Sequence, residues 1–184
     1  MNNLVTGQIG QWGNQVGAEL FAMLSVDKSD TFFKTTPNNT RIARAVLLDM
    51  EPKVIHQTIE KAKSSKQFQY NKNNQYYKQS GSANNWAFGY ASHGPSCKDT
   101  VLDLIRREVE SCDSFGGFLV MQSLAGGTGS GLGAFFTEQL RLEFPDCFMV
   151  NQVVWPYDSG EVIVQNYNSL LSLATLYEVC SFFL

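Results

Sequence analysis

The stretch SLAGGTGSGLGAF, Ser123 to Phe135, places five glycines within eight residues, Gly126 to Gly133. Backbone without Cβ atoms can turn successive N–H groups toward an anion. A helical pattern follows, so the positive end of a helix dipole adds to that attraction. A di- or triphosphate is the natural guest. The hydroxyls of Ser123, Thr128 and Ser130 would add further donors to the backbone of Ala125, Gly126, Gly127, Gly129 and Gly131. The stretch carries no lysine, which excludes the P-loop pattern with its Gly-Lys-Ser/Thr ending. A relaxed dinucleotide pattern, G-x-G-x-x-A, does match at Gly129, Gly131 and Ala134, but any glycine-dense stretch satisfies it by chance. The bland alternative is a glycine loop that only lets a helix pack closely on a strand. On the phosphate reading, Gly127→Val should abolish binding by blocking the approach of the backbone.

Without a lysine, the charge must be balanced elsewhere. Asp49 and Glu51 are separated by one residue, and extended geometry turns both to one face. Two carboxylates beside phosphates would repel them unless a cation such as Mg²⁺ lay between, usually with waters retained. Glu51 alone could instead cap the helix expected from Pro52. Gln11 and Asn84 are neutral donors for phosphate oxygens, though either could be ordinary surface loop. Trp12 could pack over a base or sugar, or belong to the core. His56 reads as a helix-face residue and His93 as a loop residue, and no Ser/His/Asp or Cys/His arrangement is visible.

These residues need a scaffold. Leu4 to Thr6 is a short strand, and Gly7, Gly10 and Gly13 lead into a helix with Val16, Leu20, Phe21, Met23 and Leu24 on its apolar face. Ala43 to Leu48 reads as a buried strand ending at Asp49. Pro52 suits a first helical position, with Val54, Ile55, Ile59 and Ala62 at helical spacing. Residues 64–95 have no clear period, and so long a loop is either functional or poorly ordered. Ser96 or Asp99 can cap the next helix, which carries Val101, Leu102, Ile105, Val109 and Cys112. Phe118 to Met121 is a strand, and the glycine loop then opens a helix through Phe135, Phe136, Leu140 and Phe144. Phe148 to Val154 is a strand broken by Trp155-Pro156, and a last helix runs from about Val162 to Tyr177. Strands alternating with helices predict an α/β fold, a Rossmann-like three-layer domain on a mostly parallel sheet. Ligands then sit beyond the carboxyl ends of the strands. Five segments converge there: Gly10–Gln15, Asp49–Glu51, Ser82–Asn85, the glycine loop, and the stretch with Tyr157, Asp158 and Glu161.

Composition narrows the function classes. With 184 residues and 43% hydrophobic content, the chain can bury one sizeable core. A net charge of −3 offers no basic surface for nucleic acid. No apolar run reaches the roughly 20 residues that span a bilayer, so membrane insertion is not expected. The N-terminus lacks the pattern of a secretion signal. Cys97, Cys112, Cys147 and Cys180 form no C-x-x-C and read as reduced, structural thiols.

In order and spacing, GQIGQWGNQVG, ARAVLLDMEPKVI, SANNWAFGY, SLAGGTGSGLGAF and WPYDSGEVIVQNYNS resemble the nucleotide domain of the tubulin family over about residues 4–177. The glycine run is close to that family's G-G-G-T-G-S-G, with Ala125 in place of the first glycine. MEPKVI and WPYDSGEVIVQNYNS are similar to the delta form. The resemblance implies a GTP/GDP site with Mg²⁺. Gln11 then matches a phosphate and Mg²⁺ contact, and Gln15 lies near the base. Asp49 and Glu51 match the acidic pair near the metal, and Asn84 the amide at the γ-phosphate. Ser123 and Ala125–Ser130 match the phosphate cradle, and Asp158 and Glu161 the sugar-side loop. Trp12 stands where the family usually has Cys or Ala, and Glu161 where it has Thr or Asp. The implied setting is cytoplasm and cytoskeleton, at centrioles, basal bodies or cilia, with other tubulins or centriolar and microtubule proteins as partners. The resemblance places the guanine clamp and the water-activating acid downstream of Leu184. It fades after Tyr177, so a GTP-binding domain over 1–177 and a divergent tail over 178–184 are expected, as from a truncated form. That form would lack sheet cover, expose apolar surface and be marginally stable. Two alternatives remain. One is an NAD-type oxidoreductase, which requires an acid near the end of the strand after the glycine loop. The other is a non-binding remnant that acts only through protein association.

Overall fold

The computed structural model describes residues 2–26, 30–158, 160 and 162–183. The chain runs β1 (Asn3–Ile9), α1 (Gly10–Leu24), β2 (Phe33–Thr35), β3 (Arg41–Ala43), β4 (Ala45–Asp49), α2 (Pro52–Ser65), β5 (Gln69–Tyr70) and β6 (Gln75–Tyr77). It continues through α3 (Trp86–Phe88), a π-helical turn (Gly89–His93), α4 (Gly94–Glu110) and β7 (Phe115–Ser123). A second π-helical turn (Thr128–Leu132), α5 (Gly133–Glu143), β8 (Phe148–Val154), α6 (Gln165–Val179) and β9 (Phe182–Phe183) complete it. The main sheet has the order β6-β4-β1-β7-β8-β9, and each neighbouring pair is parallel. The expected α/β architecture is therefore present.

A parallel sheet must be covered on both faces, and two cores do so. On one face, Phe21 of α1 and Ile55 and Ala62 of α2 pack on Ala45 and Leu47, joined by Phe33, Phe68 and Tyr70. Phe21 is fully buried, its ring 5.4 Å from Phe33 and 5.8 Å from Tyr70 in edge-on contacts. On the other face, Val101, Leu102 and Ile105 of α4 and Phe135, Phe136 and Leu140 of α5 cover Val5, Val46, Phe118 and Val120.

Four expectations need correction. The sheet-facing side of α1 is mostly small: Gly13, Asn14, Gly17 and Ala18 are buried, while Met23 is 73% exposed. The reason is close approach, because a Cβ at Gly13 would collide with the carbonyl oxygen of Met121 on β7. Residues 64–95 are not structureless. They supply β5, β6 and the start of a helix at Trp86 that continues through the π-turn into α4. Neither Ser96 nor Asp99 therefore starts that helix. Asn85 caps it, accepting the Ala87 N–H at 2.9 Å, while Ser96 donates to the His93 carbonyl. His93 is not in a loop but sits buried in the π-turn, with Nε2 2.6 Å from the Gly81 carbonyl. His56 is an exposed residue of α2 beside the Tyr77 ring, as its spacing suggested.

The tail takes part in the sheet. Phe182–Phe183 pairs with Val150 and Asn151 of β8. Arg141 holds it by donating to the Val179 carbonyl at 2.8 Å and to Ser181 Oγ at 3.0 Å. Exposed apolar side chains do gather on the α6 side, with Ile163 at 98%, Tyr157 at 87% and Tyr167 at 72%. All four cysteines are free. Among the described residues, no helix is long and apolar enough to cross a membrane.

Candidate functional site

From β1 the chain moves outward through β4 and β6, then returns to the other side of β1 as β7. That reversal opens a crevice at the carboxyl ends of the strands. A cavity of about 500 Å³ lies there. Gln11, Trp12 and Gln15 enter it from the first turns of α1, and Asp49 and Glu51 from the end of β4. Asn84 comes from the loop before α3. Ser123, Ala125, Gly126, Gly127, Thr128 and Gly129 come from the end of β7 and the turn after it. Four of the five expected segments thus meet at one site.

The glycines divide the work. At Gly126 an added Cβ would meet nothing closer than Asn84 Oδ1 at 3.7 Å, so this glycine alone among the five faces open space. At Gly127 a Cβ would lie 2.6 Å from Asn85 N and from Ser82 O, and at Gly129 it would lie 2.9 Å from Ser123 N. At Gly131 it would collide with the Trp86 carbonyl, and at Gly133 with the Gln122 side chain. Close packing is served by four of these glycines, and Gly126 leaves the backbone open to the cavity. The expectation for Gly127→Val changes accordingly: the added side chain strikes the 82–85 loop rather than a ligand. Gly10, at φ +74°, is tied to the same site, since a Cβ there would lie 2.9 Å from Gly129 N. That conformation and contact bring the first turn of α1 against the glycine turn.

Hydroxyls divide in the same way. Ser130 is fully buried and donates back to the Gly126 carbonyl, and Gly131 is buried beneath Trp86, so neither lines the cavity. Ser123 Oγ accepts the Ala125 N–H at 3.2 Å and turns the chain out of β7. Thr128 Oγ1 and Ser82 Oγ share a hydrogen bond of 2.8 Å, which ties the glycine turn to the loop before α3. The first N–H groups of the helical run from Thr128 have no intrahelical acceptor and form the donor end of the site.

The loop before α3 carries unusual backbone. Ala83 and Asn84 both have positive φ, +48° and +51°. This left-handed region costs an ordinary L-residue about 1 kcal/mol. It is held by Gly81 N–H on the Met50 carbonyl, by His93 on the Gly81 carbonyl, and by the Ser82–Thr128 bond. Such strain survives only where surroundings over-determine it. Gly81, Ala83 and Val162 also line the cavity, and no chemical role was read for them from sequence. Gly81 has φ +57°, which its residue type alone could have suggested.

Asp49 is only 3% exposed. Its Oδ1 accepts the Met50 N–H at 2.7 Å, whereas Oδ2 is buried without a partner among the described residues. Burial, with a smaller contribution from nearby Glu51, raises its pKa to about 6. An orphaned carboxylate oxygen at a cavity wall fits a cation, which would supply both the missing partner and the missing charge. Glu51 is exposed, lines the same cavity and makes no capping hydrogen bond to α2. Among the described residues no group of three or more His, Cys, Asp and Glu side chains could hold a metal. Asp49 and Glu51 are the two acidic side chains lining the cavity, and a divalent cation held there would take most of its ligands from outside the protein.

Asp158 is exposed and does not line the cavity, and Glu161 lies outside the described residues. With Gly131 turned away and Asp158 outside the cavity, the relaxed dinucleotide pattern has no site geometry behind it.

The chain is 48% identical to the tubulin delta chain of Macaca fascicularis, 47% to that of Homo sapiens and 45% to that of Mus musculus, in each case over 95% of its length. It spans 43% of the length of these relatives. Residues 3–184 match the Tubulin/FtsZ family, GTPase domain. With a parallel α/β sheet, a glycine-built cradle and a match along almost its entire length, the chain belongs to the Tubulin/FtsZ family.

Proposed function

We propose that residues 1–177 form a GTP- or GDP-binding domain of a delta-type tubulin. The observation that carries this reading is a cavity lined together by open-faced Gly126, the first turn of a helix and Asp49, whose carboxylate keeps one oxygen without a partner among the described residues. Backbone N–H groups at Gly126–Gly129 hold the phosphates, and Asn84 and Gln11 add neutral donors. Asp49 and Glu51 hold Mg²⁺, which supplies positive charge where a P-loop would use lysine. Ser130 and Gly131 act from behind the cradle by shaping its backbone. Trp12 and Gln15 line the nucleoside end.

The wider role proposed with it rests on the resemblance to delta-type tubulins. It is participation in microtubule-based processes of the cytoplasm and cytoskeleton, at centrioles, basal bodies or cilia, with other tubulins or centriolar and microtubule proteins as partners. The test begins with purified protein, denatured to release its nucleotide, and identification of that nucleotide by chromatography. Retained GDP or GTP supports the proposal. Retained NAD, or a failure to bind added GTP with Mg²⁺, contradicts it.

A further inference from the structure

Helix α6 is built inside out. Its buried residues are Gln165, Asn168, Ser169, Ser172 and Leu176, four of them polar, while Tyr167 and Leu170 are 72% and 67% exposed. Apolar burial alone does not explain how this helix is seated. Hydrogen bonds do, and Asn168 is their centre. Its Nδ2 donates to the Asn84 carbonyl at 2.8 Å and to the Ala125 carbonyl at 2.7 Å. Its Oδ1 accepts the Trp86 N–H at 3.0 Å. The amide orientation is forced, because carbonyls only accept and a backbone N–H only donates. Asn168 is 3% exposed, so each of these bonds is sheltered from water. Ser169 Oγ adds a bond to the Leu124 carbonyl at 3.3 Å, next to Ala125.

Asn84 and Ala125 both line the cavity, from two loops far apart in sequence that pack against each other. Asn84 lies in the left-handed region, a conformation that the surroundings must maintain. One side chain outside the cavity lining therefore ties together the two loops that face the ligand. We propose that Asn168 is a positioning residue: by bonding both loops, it sets the separation between the Asn84 amide and the glycine cradle that bound phosphates require. The proposal rests on the nucleotide reading above, because it assigns Asn168 a role in ligand affinity.

Serine at this position is too short to reach three partners, and glutamine displaces the amide by one methylene. Aspartate is the informative replacement. It keeps the acceptor for Trp86 but turns an oxygen toward two carbonyl oxygens. Its protonated form can donate to one of them, and its ionised form to neither. The side-chain partners of Asn168 are all backbone groups, so nothing titrates at this position in the parent, and taking the ratio of the two affinities cancels titrations common to both chains.

The test compares the full chain with Asn168→Ala and Asn168→Asp, by amide hydrogen exchange without ligand and by titration with GTP and Mg²⁺. In Asn168→Ala, exchange within 82–86 and 124–128 should rise at least tenfold, with β1 and α2 unchanged. Its Kd for GTP should rise at least tenfold. For Asn168→Asp, the ratio of its Kd to that of the parent should grow as pH rises from 5.5 to 8. Unchanged loop exchange, exchange accelerated equally in every element, or a ratio that ignores pH would each overturn the proposal. A parent that binds no GTP while the loops still loosen in Asn168→Ala would instead sink the nucleotide reading. The ligand role of Asn168 would fall with it, leaving only the tie between loops.

Discussion

Gly126 and Gly127 are adjacent, yet an added methyl group should do opposite things at each. At Gly126 the backbone is not left-handed, and the nearest atom to a new Cβ is Asn84 Oδ1 at 3.7 Å, an ordinary contact. Gly126→Ala should therefore fold normally, with stability within about 0.5 kcal/mol of the parent. Its methyl group would occupy the space from which a phosphate oxygen meets the cradle. Losing one charge-assisted hydrogen bond costs about 1.5–3 kcal/mol, so GTP affinity should fall roughly 10- to 100-fold. At Gly127 the Cβ would lie 2.6 Å from both Asn85 N and Ser82 O, which are backbone atoms that cannot swing aside. Gly127→Ala should push the 82–85 loop outward, lose about 1–3 kcal/mol of stability, and weaken binding by displacing Asn84. Thermal unfolding without nucleotide, paired with calorimetric titration of GTP and Mg²⁺, separates the two effects. If Gly126→Ala bound GTP as tightly as the parent, the cradle would not be where the open space is. If Gly127→Ala left stability unchanged, the division of labour among the glycines would be wrong.

Other perturbations read the site independently. Asp49 has its pKa raised from the ordinary 3.8 to about 6, so the folded state holds a proton that the unfolded state releases. Ligand-free stability should therefore fall as pH rises between about 4 and 6, by about 3 kcal/mol in total. Asp49→Asn should remove that pH dependence and be more stable than the parent at pH 7.5, while losing Mg²⁺-dependent GTP affinity. Urea unfolding at pH 4.5 and 7.5 measures the first part, and equal pH profiles for variant and parent would refute it. Asn85→Ala removes the cap that starts α3 and should cost about 1 kcal/mol. Denaturant titration checks this, and an unchanged midpoint would mean that the cap is redundant.

The helix and strand order was legible because apolar runs and helical spacing carry it, and β8 occupies the same Phe148–Val154 span that its apolar run predicts. Pro52 marked the start of α2 for a local reason, its fixed φ. The buried side of α1 was not legible. Gly13 and Gly17 face β-strand atoms at a distance that excludes side chains, and a pattern of apolar residues cannot register a surface made of glycine. Helix α6 misleads in the opposite sense, since Tyr167, Leu170 and Tyr177 point outward while most of its buried residues are polar. At the site, residue type and position beyond a strand end were enough to bring Gln11, Asp49, Glu51, Asn84 and the glycine turn together. They could not tell which glycines face the cavity, nor that Ser130 turns its hydroxyl back onto Gly126. Asn168 and His93 escaped for one shared reason. Each acts on backbone carbonyls of loops distant in sequence, and only the folded chain brings those carbonyls within reach.

On the proposed function, this crevice holds a guanine nucleotide by its phosphates, through backbone and Mg²⁺ rather than lysine. The most direct measurement is the affinity of the purified chain for GTP with and without Mg²⁺, for parent and Gly126→Ala side by side. GTP binding should weaken when Mg²⁺ is chelated and fall roughly 10- to 100-fold in the variant. Binding indifferent to both Mg²⁺ and the Gly126 methyl group, or no GTP binding by the folded parent, would contradict it.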